Sequence, residues 1–308
     1  AQRDLKSIYI DLNKVDEYAD FASTIPGGTN FDVNERDSLT YVAAERVYMR
    51  GETADARNSF IRYLQTFPEG AFSLNANYYI GLIDYNQQNY ASAAPYLNKV
   101  LEYPNNKYSE EAMMMSAEIA YIAKDYAQSL EWYKLLKDRA STPERRQIAA
   151  TGMLRSAAMS GNGEETILAA TAVLTDAKVA PELESEARHY RSKALVEANQ
   201  LTHAVADWEA LAKDTRNVYG AEAKYRLAQY LFDSGKTKEA EQEVLNYLEV
   251  STPHAYWLAR SFVLLSDIYA KLDRKLEARQ YLLSLKQNYQ ADDDIAGMIE
   301  SRLENLSE

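Results

Sequence analysis

Seven apolar runs along this chain carry a small residue at a near-constant interval: Ala56, Ala93, Ser129, Thr166, Ala204, Ala240 and Ala278. By subtraction, the spacings are 37, 36, 37, 38, 36 and 38. A period in this range specifies stacked supersecondary units rather than a domain around one core, because each unit buries its apolar face only against its neighbours. The functional question therefore concerns a surface before it concerns a reaction.

The last unit shows the local pattern. Leu258, Phe262, Leu265, Tyr269 and Leu272 recur at three- and four-residue steps and predict an amphipathic helix. The polar stretch from Lys271 to Lys275 predicts a turn, and Ala278, Tyr281, Leu282 and Leu285 predict a second helix. A short connection makes the two antiparallel. In six of the seven units a small residue on the first helix precedes another on the second by twelve positions: Ala44/Ala56, Gly81/Ala93, Ala117/Ser129, Ser192/Ala204, Ala228/Ala240 and Ser266/Ala278. Small side chains let two backbones approach, and a large residue would overpack them at about 1–3 kcal/mol. Bulky Phe60, Leu97, Tyr133, Trp208 and Leu282 follow four positions after the second small residue, and Pro68, Pro104, Pro143, Pro181 and Pro253 close units.

Small–small pairing across a turn, a bulky residue four positions on and a terminal Pro resemble the tetratricopeptide repeat over about residues 37–290. The resemblance implies an all-α, right-handed superhelical solenoid of about seven hairpins, with a leading half-repeat and a C-terminal capping helix. The expected divisions are a leading helix or half-repeat at 1–26, a loop at 27–36, repeats 1–3 at 37–145, an irregular repeat 4 at 146–182, repeats 5–7 at 183–290 and a capping helix at 291–308. The fourth unit is irregular because Leu154 and Thr166 occupy its small positions and its turn reads Ser160-Gly161-Asn162-Gly163; a perturbed crossing there would divide the array. The loops at 67–72 and 103–108 resemble those of periplasmic tetratricopeptide proteins of bacterial envelopes, such as scaffolds of β-barrel assembly and the Tol-Pal coordinator. That likeness implies the periplasm or cell envelope, with the cytoplasm as the alternative. A chain opening on Ala1-Gln2-Arg3-Asp4 reads as a processed or trimmed form.

Composition narrows the chemistry. A net charge of −12 repels phosphate backbones, so no nucleic-acid partner is expected. No apolar run reaches the length of a bilayer span, so no direct membrane insertion is expected. There is no Cys and there are three His, at 189, 203 and 254. No metal-ligand spacing, phosphate-cradling Gly loop or nucleophile motif occurs, and neither a catalytic set nor a cofactor is expected. Adjacent carboxylates such as Glu110-Glu111 and Glu164-Glu165 point different ways from a helix and read as solvated charges. In the Met113-Met114-Met115 run, Met113 is expected in the core and Met114 toward the groove.

The resemblance also implies a partner surface on the first helices, at the fifth, ninth and twelfth positions of each unit. Carried onto this sequence, the fifth and twelfth positions are Tyr41 and Tyr48, Tyr78 and Tyr85, Met114 and Tyr121, Thr151 and Ala158, His189 and Val196, Tyr225 and Phe232, and Val263 and Ala270, and the ninth positions add Glu45, Leu82 and Glu118. Of these, the candidate partner contacts are Tyr41, Glu45, Tyr48, Tyr78, Leu82, Tyr85, Met114, Glu118, Tyr121, His189, Tyr225 and Phe232. Tyr offers broad contact area at low entropic cost, and an acidic rim favours a basic partner. The expected partner is a protein or peptide, basic or aromatic in character. Glu45 stands where a carboxylate-clamping groove needs a cation or amide, so capture of a C-terminal tail of that type is not expected. Aromatic surfaces also stack on sugars, which leaves a carbohydrate- or peptidoglycan-binding envelope protein as the competing reading.

Overall fold

A computed structural model describes residues 2–25, 31–103, 105–250 and 252–306. Among them are seventeen helices and no strand. They divide into two compact units, Ala1–Ser156 and Ala157–Glu308, a division that falls inside one helix of the fourth repeat.

The first unit contains α1 (Gln2–Asp11), α2 (Val15–Thr24), α3 (Val33–Met49), α4 (Thr53–Thr66), α5 (Ser73–Asn86), α6 (Tyr90–Leu101), α7 (Ser109–Ile122), α8 (Tyr126–Arg139) and the start of α9 (Pro143–Ser160). The second contains α10 (Gly163–Leu174), α11 (Pro181–Glu197), α12 (Leu201–Leu211), α13 (Val218–Asp233), α14 (Thr237–Leu248), α15 (Ala255–Lys271), α16 (Lys275–Asn288) and α17 (Ile295–Asn305). In each unit hairpin partners pack together and each hairpin packs on the next, as α3–α4–α5–α6 and α11–α12–α13–α14 illustrate.

The turns keep the period. A residue with left-handed backbone closes the first helix of every hairpin: Asn13, Gly51, Gln88 and Lys124 in the first unit, and Gly161, Asn199, Gly235 and Asp273 in the second. Each stands five residues before the small position of its own hairpin, except that Asn13 is followed by Tyr18. The next backbone N–H reaches back to a carbonyl of the last helical turn, as in Asn89 to Asp84 (2.8 Å), Gln200 to Leu195 (2.8 Å) and Lys236 to Leu231 (2.9 Å). This closure satisfies carbonyls that the helix end would otherwise orphan. The small residues behave as expected: Ala44, Ala56, Gly81, Ala93, Ala117, Ser129, Ser192, Ala204, Ala228, Ala240, Ser266 and Ala278 are all buried. A Cβ at Gly81 would press on Leu97, and Ser129 donates across its hairpin to the Ala117 carbonyl at 2.8 Å. Leu154 in the first unit and Thr166 in the second are buried as well.

Several expected boundaries shift. The leading segment is a short hairpin of two helices, not one helix or a half-repeat, because Asn13 closes α1 with its N–H on Ile10. The expected loop at 27–36 ends early: the Asp32 side chain accepts the Glu35 N–H at 2.8 Å, an N-cap that starts α3 at Val33. Pro143 and Pro181 open α9 and α11 instead of closing a unit, since Pro loses no hydrogen bond at a first helical position. The terminal helix starts at Ile295, whose N–H is held by Asp293 Oδ1 at 3.0 Å, and α17 lays Ile295, Ile299 and Leu303 onto α15 and α16. Pro26, the Gly27–Asn30 stretch and Pro104 lie outside the described residues.

Candidate partner-binding site

Three of the fifth-position rings do not line an open groove. Tyr41, Tyr78 and Tyr225 are buried, with relative exposures of 2%, 5% and 5%. Each is covered by an aromatic ring from the start of the following repeat. Tyr41 stacks on Phe72 (centroids 4.4 Å, 6° between planes) and Tyr78 on Tyr108 (3.9 Å, 10°). In the second unit His189 stacks on Tyr219 (4.3 Å, 20°), and Tyr225 lies against Trp257 (5.7 Å, 31°). The hydroxyls are engaged too. Tyr41 donates to Glu45 Oε1 (2.9 Å) and accepts from Asn75 (3.2 Å); Tyr225 donates to Gln229 (3.0 Å) and accepts from Arg260 (3.0 Å). Burial and the neighbouring Glu45 push the Tyr41 hydroxyl pKa up, so it acts as a donor, not an anion. These rings fasten one repeat to the next. The expectation that Tyr41, Tyr78 and Tyr225 face a partner is corrected: a side chain sandwiched between repeats has no free face.

The remaining expected positions are half-buried or exposed. Tyr48 tilts against Tyr79 (4.8 Å), Tyr85 donates to Glu118 (2.5 Å), and Tyr121 meets Tyr126 edge-on (5.1 Å). Leu82, Met114 and Phe232 pack at the edges of separate core clusters, while Met113 and Met115 are buried.

The carried-over positions of one unit, His189 and Val196, line an open cleft. It lies wholly in the second unit, between α11 and α13 above α12, with a volume of about 670 Å3. Comparison of repeats explains its origin. In the first unit, Tyr79 stacks on Phe60 (5.3 Å, 8°) and touches Tyr48, filling the space between hairpins. At the corresponding positions of the second unit stand Trp208 for Phe60, Val196 for Tyr48 and Arg226 for Tyr79. Val196 is too short to fill the space. Arg226 turns aside, its Nε and Nη2 donating to Glu222 Oε1 at 3.1 and 3.0 Å and its guanidinium lying over Trp257 at 5.7 Å. The space that two tyrosines occupy in the first unit is therefore open above Trp208.

Apolar Val196, Leu201, Trp208, Leu211 and Tyr230 form the lining, and His189, Glu197, Glu222, Arg226 and Asp233 the polar rim. Burial pushes the His189 pKa below its ordinary value of 6.5 and outweighs the opposing effect of Glu222, 3.7 Å away. The ring is neutral near pH 7. Residue types alone did not reveal this cleft. Two signals were present: the second aromatic that opens the repeat after each fifth-position ring, and the Arg where an earlier repeat has Tyr79. Among the described residues no group of three or more His, Asp or Glu is placed to hold a metal ion, and no helix is long and apolar enough to cross a membrane.

A family model for the tetratricopeptide repeat matches residues 41–107, 78–143 and 191–256, together more than half of the chain. Among solved structures, the chain is similar to one in the Naa15/Naa10 complex bound to HypK-THB (15% identity, TM-score 0.51), covering 87% of this chain and 39% of that one. A tetratricopeptide repeat protein from Parabacteroides merdae aligns at 13% identity with a TM-score of 0.43, covering 88% and 99%. The TPR domain of P58(IPK) aligns at 14% identity with a TM-score of 0.32, covering 98% and 86%. No curated protein matches in sequence.

Proposed function

Because the chain belongs to the tetratricopeptide-repeat family, whose fold serves in general as a protein–protein interaction scaffold, we propose that it is a non-catalytic scaffold binding a segment of a partner protein in the cleft between α11 and α13. The observation that carries this reading is the open space above Trp208, where the earlier repeat is filled by Tyr48 and Tyr79. An apolar floor with a few convergent polar groups is the ordinary construction of a binding site. The half-buried Tyr48, Tyr85 and Tyr121 of the first unit offer a flatter surface, suited to secondary contacts. We place the protein in the periplasm or cell envelope of a bacterium, on the likeness of its 67–72 and 103–108 loops; fractionation of the native host tests that placement.

The test of the cleft is to refill it. Val196→Tyr with Arg226→Tyr restores the side chains of the earlier repeat. Peptides selected from a displayed random library by the wild-type chain should lose binding to the double variant, while its circular dichroism stays unchanged. Equal retention by both chains refutes the assignment. Saturable binding of glycan fragments, with no peptide selected, would favour the carbohydrate reading instead.

A further inference from the structure

The cleft differs electrically from end to end. α11 and α13 are the first helices of consecutive hairpins, so they run in the same direction. Both finish at the same end of the cleft, with Glu197 the last residue of α11 and Asp233 the last of α13. The final carbonyls of a helix carry partial negative charge, and here two such ends coincide with two carboxylates. Among the described residues neither carboxylate has a cationic partner: Asp233 accepts the Gln229 amide (2.9 Å), and Glu197 is exposed. At the opposite end the charges are already matched: Arg226 is held by Glu222, and His189, neutral near pH 7, feels Glu222 and Glu186 against Lys193 and Arg226. A cation is thus favoured at the end where Glu197 and Asp233 stand without a cationic partner, over the end where Glu222 already holds Arg226.

Dimensions set the length of the occupant. From His189 to Glu197 is eight residues, about 12 Å of helix. An extended peptide covers that distance in about four residues, at ~3.3 Å each.

On the reading that a partner segment enters this cleft, we infer that it recognises a short peptide pairing a bulky apolar side chain, seated over Trp208, with a Lys or Arg within about four residues, held between Glu197 and Asp233. The apolar anchor supplies most of the affinity by leaving water. The basic side chain fixes direction and register, because only one end of the cleft offers carboxylates without a cationic partner.

The test uses the full chain and fluorescein-labelled hexapeptides with one Leu, carrying Lys or Gln at each other position in turn, read by anisotropy. Some Lys placements should bind about five- to tenfold tighter than their Gln counterparts, the combined effect of two rim carboxylates and two helix ends. That gain should shrink between low and high salt. Glu197→Gln with Asp233→Asn should abolish it. Glu69→Gln with Asp138→Asn removes the same charge from the other unit and should leave it intact. A gain that is equal at every placement, or that survives in the Glu197/Asp233 variant, overturns the inference, because it would reflect only the overall negative charge. Competition by lysinamide as effective as by the peptide also overturns it. If Gln peptides bind and Lys adds nothing, the scaffold reading stands and the inference falls; if no peptide binds, both fall.

Discussion

Replacing Tyr78 by Ala separates a ring that fastens repeats from one that meets a partner. Tyr78 is 5% exposed, stacks on Tyr108 at 3.9 Å and packs beside Leu97 and Ala112. Truncating a buried aromatic costs about 3–5 kcal/mol, and the ring pair adds about 0.5–1.5 kcal/mol beyond area. The expected loss is about 4 kcal/mol from the first unit. Tyr85→Ala is the internal control: that ring is half-buried and its hydroxyl bond to Glu118 is exposed, so about 1–2 kcal/mol should be lost. The assay is urea unfolding read by Trp132, the tryptophan of the first unit, with Trp208 and Trp257 replaced by Phe. At a slope of about 2 kcal/mol/M, Tyr78→Ala lowers the midpoint by about 2 M and Tyr85→Ala by less than about 1 M. Tyr108→Ala combined with Tyr78→Ala should show a coupling of about 1 kcal/mol. A loss at Tyr78 no greater than at Tyr85 would refute the assignment of these rings to the contact between repeats.

Other consequences follow from turns and buried charges. Gln88→Gly and Lys124→Gly should each stabilise by up to about 1 kcal/mol, since both residues hold a left-handed backbone that glycine adopts freely. Gly51→Ala and Gly235→Ala should each lose about 1 kcal/mol, although nothing lies within 4 Å of the added methyl, so calorimetry reads a purely conformational effect. Asp207, fully buried, receives Arg191 Nε and Nη2 at 2.8 and 2.7 Å and Arg188 Nη1 at 3.2 Å. Asp207→Ala should cost about 3–5 kcal/mol in urea unfolding, and Asp207→Leu with Arg188→Met and Arg191→Met should cost less, because no charge is then left buried alone. The His189 pKa is depressed by burial, so the unfolded chain takes up that proton first. Stability of the second unit should therefore fall as pH drops below about 6.5, through the folded pKa, and His189→Gln should flatten that slope in pH-dependent denaturation.

The small-residue period was legible because backbone approach tolerates few side chains at one register, and Gly, Ala and Ser declare themselves in any sequence. The leading hairpin escaped notice because Tyr18 stands at its small position, even though Asn13 keeps the turn in step. Of the left-handed turn residues, Gln88 and Lys124 carry no turn signature of their own; helix closure imposes the conformation on them. Most of the rings were legible as to helix and face, but not as to what lies against them. Tyr41 facing a partner and Tyr41 facing Phe72 give the same first-helix pattern, and only the second ring, at the start of the next repeat, distinguishes the two.

A perfect repeat would have no site. Where Phe60, Tyr79 and Tyr48 interlock, the space between hairpins is filled, and such a surface offers a partner little depth. The cleft over Trp208 exists because three positions changed together. Val196 shortens one wall, Arg226 removes a ring, and Glu222 draws that Arg away from the opening. Glu222 stands where the earlier repeat has Asn75, which bonds Tyr41 instead, so the carboxylate that holds Arg226 is itself a departure from that repeat. The departure from the repeat is thus itself a coordinated structure, and that coordination, more than the cavity's size, argues that the opening is built to be occupied.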